Sequence, residues 1–256
     1  MKVVIVGSGN VAEALAIGLY EAGEEVVQIY ARNKARGSAI ADMIGSKWGD
    51  GELAVADLYI ISVSDSAVSE VAKSLSIPYG AVVAHTTGCC SIESLAPHEH
   101  RAVFYPFQTF SAGRKVDFTK GYIFVEGATE YALKIVLEVA HRLTAKVAEA
   151  DGSRRAVVHL SGVFASNFAN AMFENATEIL AREGLPFDVI APVIAETAEK
   201  AVASQNPRAV QTGPARRGDM PTLERHRSML ADDVLKREIY DKISEDICNK
   251  TEISKR

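Results

Sequence analysis

The sequence predicts an α/β fold, a doubly wound parallel sheet over residues 1–150 followed by a smaller all-helical domain over 151–256. Three observations predict it. Short apolar runs alternate with helical patterns through the first 150 residues, a Gly-x-Gly-x-x-Ala turn occupies the first junction, and strand patterns vanish after Asp151.

Val3–Val6, Val26–Tyr30, Leu58–Val63, Ala81–Ala84 and Ala102–Tyr105 are continuous apolar stretches, as expected of parallel strands covered on both faces. Between the first two, Val11, Leu15 and Leu19 recur every fourth residue and turn one apolar stripe toward the sheet. Asp65–Leu75 reads as a crossover helix, ended by Pro78 and Gly80. Ser46–Gly51, with two glycines and a tryptophan, predicts nothing firm. Glu130–Leu143 is helical in pattern and Ala145–Ala148 reads as a last strand. Asp151 is placed to cap a helix running to about Arg182, where Gly184 and Pro186 stop it. Its ~32 residues would span about 48 Å. Such length points either to a homodimer formed through the helical domain or to one long core helix in a monomer. Helices near 188–204, 222–230 and 232–249 complete the second half, and Lys250–Arg256 is expected to fray.

Composition narrows the function. The chain has 256 residues, 48% of them apolar, with 28 Lys+Arg against 33 Asp+Glu. Those fractions belong to a globular protein. A pI near 5.7 argues against a general nucleic-acid binder. No apolar run approaches the ~20 residues that span a bilayer, and Met1-Lys2 leads too abruptly into Val3 for a signal peptide. Adjacent Cys89 and Cys90 with a distant Cys248 have no metal-ligand spacing, so a reduced cytoplasm and a metal-free site are expected.

Gly7-Ser8-Gly9-Asn10-Val11-Ala12 follows the first strand and opens the first helix. This reads as the dinucleotide fingerprint of a Rossmann-like domain, the alternative being a glycine-rich turn in such a domain without its ligand: Gly7 permits the tight turn, Gly9 lets a pyrophosphate approach the backbone, and Ala12 keeps helix and strand close. Free N–H groups at the helix start supply the anion site. NAD binding calls for an acid after the second strand, but no acid lies between Glu25 and Asp42. Tyr30-Ala31-Arg32-Asn33-Lys34-Ala35-Arg36 offers Arg32, Lys34 and Arg36 to a 2′-phosphate instead, so NADP is the expected cofactor.

The N-terminal half resembles the NADP-binding domain of pyrroline-5-carboxylate reductases, 6-phosphogluconate dehydrogenase relatives and deazaflavin-dependent NADP reductases. More closely, Gly7–Ala12, Asp57–Asp65, His85-Thr86-Thr87-Gly88, Tyr105-Pro106-Phe107-Gln108-Thr109-Phe110-Ser111 and Thr212-Gly213-Pro214-Ala215-Arg216-Arg217-Gly218-Asp219 resemble a family of oxidoreductases. In that family a Rossmann-like domain is joined to a helical domain of unknown function similar to the 6-phosphogluconate dehydrogenase C-terminal region. The resemblance covers nearly the whole chain. It implies that Val63, Ser64 and Thr86 line the nicotinamide half of the cofactor. The resemblance speaks to architecture more than to chemistry; the leading functional reading is an NADP-dependent oxidoreductase that transfers a hydride to or from a small polar carbonyl or imine substrate in an interdomain cleft, with a non-catalytic NADP sensor and a second flavin or deazaflavin cofactor as the alternatives. One departure stands out: 3-hydroxyacid dehydrogenase relatives carry a catalytic lysine on the interdomain helix, and this chain has none between Lys146 and Lys200.

Candidates for the missing proton donor lie on the long helix. Arg155, His159, Ser166 and Asn170 fall on one face at α-helical spacing, opposite Val157, Leu160, Phe164 and Phe168. His159 could act as general acid with Ser166 or Asn170 orienting the substrate, or the stripe could face solvent or a second subunit. His85 could relay a proton or bond the turn that follows it. Arg217 and Asp219 could hold an acidic substrate group, or Asp219 could cap a helix before Pro221. Cys89 and Cys90 read as buried small residues, and Phe104, Phe107, Phe110 and Phe118 as packing that joins the domains.

Overall fold

The computed structural model describes residues 1–253, and the chain divides between Asn167 and Phe168 into two compact units. The division falls inside the long helix, later than the boundary at residue 150, because the first turns of that helix pack on the sheet.

The strands of the first unit are β1 (Lys2–Val6), β2 (Glu25–Tyr30), β3 (Lys47–Gly49), β4 (Leu58–Ile61), β5 (Val82–His85), β6 (Arg101–Phe107), β7 (Tyr122–Gly127) and β8 (Val147–Glu149). They form one sheet in the order β3-β2-β1-β4-β5-β6-β7-β8. Its helices are α1 (Asn10–Glu21), α2 (Lys34–Met43), α3 (Val68–Ser74), α4 (Glu130–Leu143) and α5 (Gly152–Gly162). The pleat of β1 sends Val3 and Ile5 into a core shared with Leu15, Leu19, Ile40 and Val136 of α1, α2 and α4. Val4 and Val6 enter a second core on the other face with Tyr59, Val68 and Ala72. Covering both faces explains why these strands read as unbroken apolar runs.

Two strands depart from the expectation. Lys47–Gly49 pairs in parallel with Gln28–Tyr30, and the Trp48 indole N–H donates to the Ala31 carbonyl at 2.9 Å, so the stretch left unassigned is an edge strand. Tyr122–Gly127 is antiparallel to β6 because the connection before it holds only a short turn at Phe118–Lys120 in place of a crossover helix. Of the four phenylalanines, Phe104 and Phe118 belong to the core of the first unit, and the Phe110 ring lies 6.4 Å from that of Phe118.

At the start of α5 the Asp151 carboxylate accepts the Arg154 N–H at 2.8 Å, as a cap does. The helix continues through a π segment, Val163–Phe168, into α6 (Ala169–Ala181), 30 residues in all. A π turn bonds i to i+5 and so takes extra residues. The α-helical spacing that put Ser166 and Asn170 on the face of Arg155 and His159 is lost there. By length and composition this helix is apolar enough to cross a bilayer, which the reading of apolar runs missed; it also carries His159, Ser161, Ser166, Asn167 and Asn170.

The second unit adds α7 (Ala191–Ser204), α8 (Pro214–Arg217), α9 (Met220–Met229) and α10 (Val234–Ile253). The short α8 was not expected. Arg182 pairs with Asp232 and Asp233, and Lys236 with Glu178, tying α6 to the start of α10. Residues 250–253 are helical where fraying was expected; Ser254–Arg256 lie outside the described residues.

Replacing Asp151 with Ala should lower stability by about 1 kcal/mol, read as a drop in the thermal unfolding midpoint, while Asp151→Asn should stay within a few tenths of a kcal/mol of the parent.

Candidate functional site

The strand order reverses between β1 and β4, and open α/β sheets bind ligands at the carboxyl ends of strands where the order reverses. Gly7 stands at that point. Its φ is +125°, and a Cβ there would lie 2.1 Å from the Ser62 carbonyl oxygen, so no other residue fits between β1 and β4. Its N–H donates to the Tyr30 carbonyl at 2.8 Å, fixing the turn against β2. Gly9 precedes α1 with no side-chain cap and open space where a Cβ would be. The first N–H groups of α1 are thus left to an anion. Ala12 is fully buried against the sheet. Asn10 is held on both sides: its amide donates to the Phe110 carbonyl at 3.3 Å and accepts from Arg36 at 3.2 Å.

The basic stretch after β2 divides its tasks. Arg36 also pairs with Glu13 at 2.9 Å, and the Lys34 ammonium lies 5.5 Å from the centre of the Trp48 ring. Asn33 caps α2 by accepting the Arg36 N–H. Arg32 is exposed and makes no hydrogen bond or ion pair among the described residues. Of the three basic residues expected to offer charge to a phosphate, Arg32 alone is uncommitted.

Val63 and Ser64 follow β4, and Val63 borders the space under Gly7. Thr86 follows β5; its hydroxyl donates to Ser62 Oγ at 3.3 Å and its N–H to the Ile61 carbonyl at 3.2 Å. These bonds tie the ends of β4 and β5 together beside the glycine loop.

His85 and His159 have different fates. His85 has no exposed surface, and its Nδ1 accepts the Thr87 N–H at 3.2 Å, the turn-bonding role left open by the sequence. Burial, reinforced by the charge of Arg155, pushes its pKa down to about 4. A neutral imidazole is a poor acid at neutral pH, and its bond to Thr87 ties the end of β5 to the turn that follows. His159 is half-buried, and its Nδ1 is 3.0 Å from Tyr105 Oη. Its Nε2 has no protein partner among the described residues. Closeness requires Gly88: a Cβ there would come within 2.6 Å of the His159 ring.

Tyr105 was missed in the sequence as a site residue. Val103 of β6 pairs with His85, the last residue of β5, so Tyr105 lies two residues past the end of β5, on the carboxyl side of the sheet. Burial, with Cys89 and Asp65 nearby, pushes its pKa up to about 12, and the phenol stays neutral. The available signal was its place in β6, where it stands less buried between Phe104 and Pro106.

Arg155 is fully buried and bonded to Glu126, Ala150 and Cys90. Ser166 is in the π segment, and Asn170 is exposed in the second unit. Asp219 caps α9, accepting the Thr222 N–H and hydroxyl, and those bonds hold its carboxyl below the usual range; Arg217 is exposed. Cys89 is exposed, contrary to the buried role expected for it.

Residues 2–87 match the family model for coenzyme F420-dependent NADP oxidoreductases, and residues 121–247 match a domain of unknown function, DUF2520. No curated protein matches. Among solved structures, the chain is 35% identical to a Bacteroides fragilis protein provisionally called an NADP oxidoreductase, over 97% of this chain and 98% of that one, with a TM-score of 0.91. A Thermotoga maritima protein is 23% identical over 99% of this chain and 100% of its own, TM-score 0.76. A reductive aminase from Aspergillus terreus, solved with NADPH and ethyl levulinate, is 16% identical over 97% and 94%, TM-score 0.71. The last two share the fold.

The His85 pKa carries a stability prediction. Folding lowers it from 6.5 to about 4, so between those values the unfolded chain binds the extra proton. Stability should be full above about pH 6.5 and fall by up to about 3 kcal/mol as pH drops toward 4. Unfolding midpoints across that range should show a shallower decline in His85→Asn than in the parent.

Proposed function

The chain belongs to the oxidoreductase family that joins an NADP-binding Rossmann domain to a helical domain of unknown function, and as this NADP-dependent oxidoreductase we propose that it reduces a C=N or C=O bond of a small polar substrate. The observation that carries the reading is the hydrogen-bonded His159–Tyr105 pair beside the Gly88 loop, at the carboxyl ends of β5 and β6. NADPH, when bound, supplies the hydride. The remaining requirement is a proton for the nitrogen or oxygen that the hydride leaves negative. His159 donates it from Nε2, and Tyr105 holds Nδ1 and with it the ring orientation. The 3-hydroxyacid dehydrogenase relatives use a lysine on the interdomain helix for this, and the chain has none between Lys146 and Lys200, so another group must give the proton. That the reductive aminase of like fold was solved with a keto ester supports the substrate class.

In this reading the backbone of Gly7, Ser8, Gly9, Asn10, Val11 and Ala12 holds the pyrophosphate, Arg32 and Asn33 the adenosine 2′-phosphate end, and Val63, Ser64 and Thr86 the nicotinamide end. The protein acts as a homodimer through the helical domain and the helix that leads into it: Val157 and Leu160 are 69% and 58% exposed on that helix, and a second copy covers them.

Two measurements test this. The protein should prefer NADPH to NADH in calorimetric titration, and Arg32→Asp should erode or reverse that preference by about 1.5–3 kcal/mol; equal affinities in the parent would overturn the cofactor reading. Against a panel of keto acids and cyclic imines, His159→Ala should lower turnover by about 10²–10⁴ with NADPH affinity nearly unchanged, and Tyr105→Phe should lower it less. Absence of any turnover in the parent would favour a sensor instead.

A further inference from the structure

Arg155 is the largest side chain buried without exposed surface. One terminal nitrogen donates to Glu126 Oε2 at 2.5 Å and to the Ala150 carbonyl at 3.2 Å; the other donates to the Cys90 carbonyl at 2.6 Å. A single guanidinium therefore joins α5 to β7, to the residue after β8 and to the loop after β5. A buried ion pair is an expensive way to hold a fold, since an apolar pair of like volume is often as stable. What an apolar pair cannot do is bond a backbone carbonyl.

That carbonyl belongs to the loop on which the site depends. Cys90 lies two residues beyond Gly88, against which His159 packs, and the Cys90 N–H donates to the Thr87 hydroxyl at 3.0 Å. His159 lies four residues after Arg155, one helical turn along on the same side of α5. Arg155 and His159 thus touch the same short loop from consecutive turns.

We propose that Arg155 is a positioning residue: by bonding the Cys90 carbonyl it locks the Gly88–Cys90 loop to α5 and sets the distance between His159 Nδ1 and Tyr105 Oη. The proposal rests on the assignment of His159 as proton donor for its consequence in turnover, but not for its geometry. Glu126 balances the charge and aims the guanidinium fork. The loop, not the overall fold, is what the bond to Cys90 controls.

The experiment compares the parent with Arg155→Lys, Arg155→Met and the double variant Arg155→Met/Glu126→Leu. It reads thermal unfolding, the titration of the His159 ring by NMR (assigned through His159→Gln) and NADPH-dependent turnover. Arg155→Met alone should be destabilised, because it leaves the Glu126 carboxylate unpaired. The double variant should regain most of that stability, yet its His159 titration should stay displaced by several tenths of a pH unit. Its turnover should remain about 10–100-fold down with unchanged NADPH affinity. Arg155→Lys, which keeps the charge but cannot span three acceptors, should show a smaller displacement in the same direction. Recovery of stability together with a parental His159 titration would overturn the proposal. Should the double variant not fold, a parental titration in Arg155→Lys overturns it equally. If the parent turns over no substrate in the panel, the assignment of the reaction fails while the NMR titration still decides the role of Arg155.

Discussion

The approach of Gly7 to the Ser62 carbonyl, too close for any side chain between them, sets the geometry at the carboxyl edge of the sheet. It lets β1 end flush with β4, and the chain can then turn at once into α1. The helix start is aimed across the strand ends, and the loops after β4 and β5 are left beside it. A side chain at this position would force the two strands apart by more than an ångström and would misplace the helix terminus with them. Rossmann geometry is here a matter of one missing methyl group.

Burial and charge are arranged around the loop after β5 so that two basic groups share a small volume without both being ionised. Arg155 cannot lose its proton and is neutralised by Glu126. His85, beside it, takes the neutral form, with its Nδ1 free to accept from the backbone. His159, less buried and farther along α5, is bonded through Nδ1 to Tyr105 and keeps Nε2 without a protein partner among the described residues. Tyr105 serves it best by staying a phenol, which its burial ensures.

The sequence made the Rossmann core legible because its determinants are local: apolar runs, a four-residue helical stripe, a glycine fingerprint and the Asp151 cap each act within a few residues. What escaped depends on neighbours distant in the chain. Lys47–Gly49 becomes a strand only because β2 offers an edge and Trp48 a bond to Ala31. Tyr122–Gly127 runs antiparallel because its connection is short, and nothing in its composition says so. Tyr105 meets His159 through the register of β6 against β5, and the shared face of His159, Ser166 and Asn170 is interrupted by a π segment that α-helical counting does not foresee. The bonds of His85 to Thr87 and of Asp219 to Thr222 are visible only in the fold, because the residue type allows several partners.

Both ends of the eight-stranded sheet are strands of three residues, Lys47–Gly49 and Val147–Glu149. A sheet whose central strands are unbroken hydrophobic runs is a hazard if its borders are long, because unpaired backbone groups there recruit foreign strands. Here each border presents too few free N–H and C=O groups to template a further strand, and a charged residue sits in each, Lys47 on one side and Glu149 on the other. The sticky interior is sealed by brevity at its margins. The same economy that makes these strands hard to recognise in the sequence protects the molecule from edge-to-edge aggregation.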